Sequence, residues 1–254
     1  MHACRKLALL LALFTTALVA PAAWADAPLK AGSITSSPPF ISYADDGKTL
    51  QGIIVDLAAA MGKRMERDIV FEQIPFSGLI PALQAERIDI IFSIMNDTSE
   101  RQELLDFVDF FNMSSTLLIR HGNPDGIRGV DDSACGKTLA TIKGSLQVAL
   151  VEAGSKRCVA DGKPPIKNNQ YATPAEGRLQ VQTGRVAGFF GNTPILAYVA
   201  QTVNDGQTFD IIDQEYEPLP LGIGVAKDDT ALRDLLQSTL NALIEDGSYE
   251  GILE

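Results

Sequence analysis

Residues 88–93, Ile88-Asp89-Ile90-Ile91-Phe92-Ser93, form an almost unbroken apolar run between a short helical pattern and a polar turn. A strand so poor in polar side chains is buried on both faces, as in a parallel sheet covered by helices. The same alternation surrounds it. A strand is expected over 29–34. Gly52 opens a helix with Ile53, Leu57, Ala60 and Met61 near helical spacing. A second strand covers 68–73 and stops at Pro75, and a short helix covers 78–85. Strand, helix, strand, helix, strand is the signature of an α/β unit. Pro38 and Pro39 keep 36–40 out of a helix, and Asp45-Asp46-Gly47-Lys48 is a turn.

The polar, glycine-rich stretch 122–133 marks a border, and a second α/β series follows. Strands are expected over 138–142, 186–190 and 221–226. Ser145 caps a helix running to about 153. Another helix covers 174–183, and Asn192 begins one with Pro194 in its first turn. The last helix, 228–245, carries Asp228 and Asp229 near its start, where negative charge is favoured.

Arg5 and Lys6, the apolar stretch 7–20, and small residues at Ala23 and Ala25 read as a cleaved export signal ending before Asp26. The apolar stretch is shorter than the roughly 20 residues that span a bilayer, which disfavours a retained anchor. Removing 25 of 254 residues leaves 229, enough for one large domain or two lobes. The signal holds two basic and no acidic residues, so its loss takes the formal charge from −11 to −13. That balance argues against nucleic acid and anionic lipid as partners. Cys135 and Cys158 remain, an even count that favours a disulfide in an exported protein. With His121 the one remaining histidine, no zinc site is expected.

Arg101 stands in the first turn of a helix expected after the polar turn. A cation there opposes the helix dipole unless an anion offsets it. A fixed guanidinium grips a carboxylate through two parallel hydrogen bonds, and the N–H groups of a helix start add to the pull. The segment is suited to holding a small carboxylate, not to making or breaking a covalent bond.

Pro39-Phe40, Gly52-Ile53-Ile54-Val55-Asp56-Leu57, Phe76-Ser77-Gly78-Leu79-Ile80, Thr98-Ser99-Glu100-Arg101, Gly144-Ser145 and Asp246-Gly247-Ser248-Tyr249 occur in this order over nearly all of the mature chain. In that order and behind an export signal, the chain resembles the periplasmic solute-binding proteins of polar amino-acid ABC transporters, such as the glutamine, histidine and lysine-arginine-ornithine binders. The resemblance implies a two-lobed, type II periplasmic-binding fold. Each lobe is then a mainly parallel sheet with flanking helices, and two hinge strands join them. Lobe 1 would be 26–113 plus 219–254, and lobe 2 would be 114–218. It implies ligand contacts by Arg101 on the α-carboxylate, by Ser93, Ile94 and Asn96 in the turn before it, by Phe76 stacking on the ligand, and by Phe40, Ser37, Ser145, Leu146 and Asn192. It implies a periplasmic monomer that needs no cofactor or metal and delivers an amino acid or small carboxylate to an inner-membrane permease.

Three positions depart from the pattern. Asn192 stands where relatives place the aspartate that holds the α-ammonium, Ser37 where many have an aromatic, and Ile34 where binders of basic amino acids have an acid. A lysine or arginine ligand is therefore not expected. The alternatives are a cyclohexadienyl-dehydratase-like enzyme on the same fold and a soluble ligand-sensing accessory protein. The enzyme needs a general acid or base in the cleft. None falls at the positions assigned above, and Lys143 before a helix start is commonly solvated.

Overall fold

The structure is a computed structural model that describes residues 27–253; the segment expected to be an export signal lies outside the described residues. The strands, in chain order, are β1 (Leu29–Ser33), β2 (Ser36–Ser37), β3 (Ile41–Tyr43), β4 (Leu50–Gln51), β5 (Ile69–Gln73), β6 (Ile90–Ile91) and β7 (Leu105–Arg120), followed by β8 (Thr138–Ile142), β9 (Lys167–Tyr171), β10 (Gly188–Asn192), β11 (Phe209–Ile211) and β12 (Tyr216–Ala226). The helices are α1 (Ile53–Met65), α2 (Leu79–Gln84), α3 (Ser99–Gln102), α4 (Leu146–Ala160), α5 (Pro174–Gln182), α6 (Thr193–Thr202), α7 (Thr230–Glu245) and α8 (Ser248–Leu253).

Among the described residues, nine strands form one sheet, eight of them in the order β5-β1-β6-β12-β7-β10-β8-β9 and the ninth, β11, paired with β7 off that path. β1 runs parallel to β5 and β6, while β8 runs parallel to β9 and β10. Between these two parallel blocks lie β7 and β12, antiparallel to each other. β7 belongs to both blocks. Its first part pairs with β12 from Leu105↔Ala226 to Met113↔Leu219, and its end pairs with β10 and β11. β12 has register shifts between Tyr216 and Leu219 and between Leu221 and Gly222, where the two blocks meet.

The larger apolar core packs Leu57 and Met61 of α1, Ile90 and Ile91 of β6, Ile223 and Val225 of β12, and Leu236 and Leu240 of α7, and it reaches Ile142 and Phe189. Tyr249 of α8 donates its hydroxyl to the Phe110 carbonyl of β7. A second core joins Leu117, Leu139, Val151, Phe190 and Ile212. The segment after β12 therefore returns to pack on α1, a long-range contact that no local pattern announces.

The structure differs from the sequence expectations in several places. β7 spans 16 residues that carried no strand assignment, and it ends just before the polar stretch 122–133. α4 continues to Ala160 and not to 153. β10 begins two residues later than expected, and β6 shrinks to Ile90–Ile91, although Ile88 and Phe92 beside it are also buried. Residues 36–40, read as a loop, include β2. α3 is a single turn of four residues, so it lacks the stack of aligned peptides that makes a macrodipole.

Cys135 and Cys158 are joined by a disulfide that ties the segment before β8 to α4 across 23 residues. In the chain-entropy model such a loop contributes about 3 kcal/mol. Replacing both cysteines by serine is expected to lower the melting temperature by roughly 6–12 °C for a chain of this size. Calorimetry of the variant, and of the wild type in strong reductant, checks this; equal midpoints would refute a stabilising role.

Candidate functional site

A cavity lies where the two blocks face each other, with about 500 Å³ of space not filled by atoms, its open mouth included. Its enclosed part is small, about 40 Å³. It is built at the carboxyl ends of the parallel strands. Ile34 and Ser37 follow β1, Phe76 follows β5, and Ile94 and Asn96 follow β6. From the other block come Ile142 at the end of β8, Pro174 after β9, and Phe189, Phe190, Gly191 and Asn192 of β10. Ser145, Leu146 and Gln147 at the start of α4, with Ile195 and Leu196 of α6, complete the wall. Open α/β sheets offer ligand sites at this edge because loops and helix starts converge there.

The turn that carries Asn96 is pinned by backbone bonds to β12. Asp97 donates its N–H to the Pro220 carbonyl at 2.8 Å, and Gly222 donates to the Met95 carbonyl at 3.1 Å. Asn96 is thereby buried at the cavity base with 5% exposure. Gln147 is also buried and donates Nε2 to Ser115 Oγ of β7 at 2.9 Å. Ser145 occupies the N-cap of α4, but its hydroxyl makes no capping bond. Its Oγ, the Asn192 Nδ2 at the N-cap of α6, and the Thr193 Oγ1 beside it are buried without a hydrogen-bond partner among the described residues. A buried, unpaired donor costs about 1–3 kcal/mol, so these groups are primed for a partner with accepting oxygens.

Arg101 is 8% exposed. Its backbone N–H donates to Thr98 Oγ1 at 3.3 Å, which fixes the start of α3. The guanidinium lies 5.3 Å from the centre of the Phe76 ring. Nη1 donates to the Asn96 carbonyl at 2.7 Å, and Nη2 donates across the cleft to the Gly144 carbonyl at 3.2 Å. Burial pushes its pKa below the ordinary arginine value, with Glu100 and then Asp97 acting in the opposite sense. Arg101 does not line the central cavity. It lines the adjoining crevice, which shares Ser145 and Leu146 with it. A second guanidinium, Arg178 of α5, also spans the blocks and donates Nη1 to the Ser36 carbonyl at 3.5 Å. Burial alone pushes its pKa down.

The cavity wall thus brings together Ser37, Phe76, Ile94, Asn96, Ser145, Leu146 and Asn192. Two other expected contacts lie behind it. Ser93 is fully buried and its Oγ accepts from the Ile34 N–H at 3.3 Å. Phe40 is 1% exposed and meets the Phe111 ring edge-on at 5.3 Å. Gln147, Pro174, Phe189, Phe190, Ile195 and Leu196 are lining residues that the sequence reading did not single out. Gln147 sits two positions past the helix-opening Ser145, and that spacing is the one local signal that could have pointed to it. Among the described residues, no carboxylate, histidine, lysine or tyrosine lines the cavity.

The sequence model of the bacterial extracellular solute-binding proteins, family 3, matches residues 29–254. ABC transporter arginine-binding protein 1 of Escherichia coli (strain K12) is 28% identical over 223 residues, covering 87% of this chain and 87% of that protein. A solved structure of an ancestral arginine-binding protein bound to glutamine superposes with a TM-score of 0.79 at 29% identity, covering 89% of this chain and 96% of that one. An ancestral amino acid-binding protein described as a precursor of cyclohexadienyl dehydratase superposes with a TM-score of 0.74 at 25% identity, covering 89% and 93%. Two parallel blocks joined by crossing strands, a cavity between them and a family match over nearly the whole chain lead to one conclusion: the chain belongs to the bacterial extracellular solute-binding proteins, family 3.

Proposed function

We propose that this chain is the extracytoplasmic solute-binding component of an ABC importer, taking an amino acid or a related small carboxylate into the cavity between its two lobes. In this reading the lobes are 26–113 plus 219–254 and 114–218, with β7 and β12 as the hinge. The observation that carries the proposal is the position of the cavity, at the carboxyl ends of six parallel strands from both blocks, beside a buried guanidinium. Arg101 grips the ligand carboxylate, which replaces the Gly144 carbonyl on Nη2. Ser145, Asn96 and Asn192 supply further polar contacts, and Phe76 forms a wall that also seats the guanidinium. Interactions that form only when both lobes touch the ligand shift the population toward the closed form, which docks on a membrane permease as a monomer.

The lining also weighs against two neighbouring readings. With no carboxylate in the wall, an arginine or lysine side chain would be buried as an unpaired charge. With no proton-transfer group there, a dehydratase reaction lacks its acid and base. A thermal-shift screen of amino acids and small carboxylates tests the proposal. A ligand at 100-fold its dissociation constant stabilises by about 2.7 kcal/mol, and roughly 5–10 °C is expected for a chain of this size. No shift with any compound, or turnover of a cyclohexadienyl acid, would overturn it. Intrinsic tryptophan emission is unsuited as the readout, because Trp24 falls within the expected export signal and is the sole tryptophan.

A further inference from the structure

The electrostatics of the cavity are one-sided. Its polar wall is Ser37, Asn96, Ser145, Gln147 and Asn192, all neutral. The fixed charges and dipoles that face it are positive. The N-termini of α4 and α6 open onto it, and each ends in an N-cap side chain with an unpartnered buried atom. Arg101 lines the adjoining crevice, against the Phe76 ring and bonded to the Asn96 carbonyl. Arg178 bridges to Ser36 next to Ser37, with no carboxylate in ion-pair range among the described residues. Of the acids that act on Arg101, Asp97 is not among the wall residues, and Glu100 lines the adjoining Arg101 crevice and not the cavity itself. Asp97 Oδ2 accepts from Gln102 Nε2 at 3.0 Å, and both acids act on the Arg101 charge. Asp97 Oδ1 is buried without a partner, yet it is no part of the cavity surface.

An α-ammonium group brings a full positive charge and three donors. Buried here it would meet neutral acceptors only, and a buried charge without a counter-charge is strongly disfavoured. A carboxylate with an adjacent carbonyl or hydroxyl oxygen has the opposite needs. It brings accepting oxygens, which the Ser145 hydroxyl, the Asn192 amide and Arg101 can all satisfy. The remainder of the wall, with Ile34, Phe76, Ile142, Phe189 and Leu196, suits a branched or aromatic side chain. Resting on the solute-binding reading above, we infer that the cavity selects a 2-oxo or 2-hydroxy monocarboxylate with an apolar side chain over the α-amino acid of the same skeleton.

Isothermal titration with matched pairs tests this on the mature chain: 4-methyl-2-oxopentanoate against L-leucine, phenylpyruvate against L-phenylalanine, and the corresponding 2-hydroxy acids. The oxo or hydroxy acid of at least one pair is expected to bind tenfold or more tightly than its amino acid. An amino acid that matches or exceeds its partner in every pair overturns the inference and leaves the solute-binding reading standing. Absence of binding by every member of every pair overturns the inference; the separate screen of amino acids and carboxylates then decides the broader reading. The variant Asn192→Asp supplies a second readout. It is expected to weaken the oxo acid at least tenfold and to strengthen the amino acid, and unchanged affinities for both would also overturn the inference.

Discussion

Alanine at position 101 is expected to abolish most of the affinity for whichever carboxylate the thermal screen identifies. Truncating one partner of a buried, hydrogen-bonded charge pair costs about 2–5 kcal/mol. That corresponds to roughly 30-fold to several thousand-fold in the dissociation constant. The guanidinium is seated by Phe76, by the Asn96 carbonyl and by Gly144 across the cleft, so its loss also loosens the contact between lobes. Arg101→Lys separates charge from geometry. It keeps the cation but gives up the planar fork, and an intermediate loss is expected. Titration of both variants checks the ordering. Full affinity in Arg101→Ala would show that the ligand carboxylate is held elsewhere in the cavity, and the proposed role would fall.

Gly52→Ala is expected to destabilise the fold by about 4 kcal/mol, an effect at the upper end for a single substitution. Gly52 precedes α1 with φ 116° and ψ 173°. That backbone region is essentially closed to residues with a side chain and costs on the order of 1–3 kcal/mol. A Cβ there would also lie 2.4 Å from the Pro39 carbonyl oxygen and 2.7 Å from that of Phe40. Those two carbonyls accept the Ile53 and Ile54 N–H groups and so cap the helix. Moving them aside breaks the cap and drags the loop that carries Ser37 at the cavity wall. The expected fall in melting temperature is roughly 8–16 °C. Gly47→Ala is the control. Gly47 also has positive φ, but nothing lies within 4 Å of its added Cβ, so a loss of about 1 kcal/mol is expected. If the two variants melt together, the close approach at Gly52 has no energetic consequence.

The α/β alternation, the apolar strands and the helix starts were legible because each is written in a local period or a capping residue. Segment 105–120 was not, because β7 changes surroundings along its length. Against β12, Val108 and Phe110 are buried with an exposed Asp109 between them, whereas Thr116, Leu117, Leu118 and Ile119 are all buried in succession. No single period fits both parts. Positions around Arg101 and Ser145 were legible from motif spacing, which the resemblance then organised. Pro174, Phe189 and Leu196 were not, since their presence at the wall depends on how two distant blocks meet. Ser145 shows a third kind of miss. Its type and position announced a capping side chain, but the backbone turns it into the cavity and leaves the hydroxyl free.

The strand order bears on the timing of synthesis. β12 lies between β6 and β7, yet it is made long after both. While the ribosome is still working, the early half of the chain has two raw edges and no means to seal them. The strands β8, β9 and β10 are all made before β12. The early sheet is therefore closed by a strand that arrives near the end of the chain, so a product cut short before β12 leaves β6 and β7 without the strand that joins them.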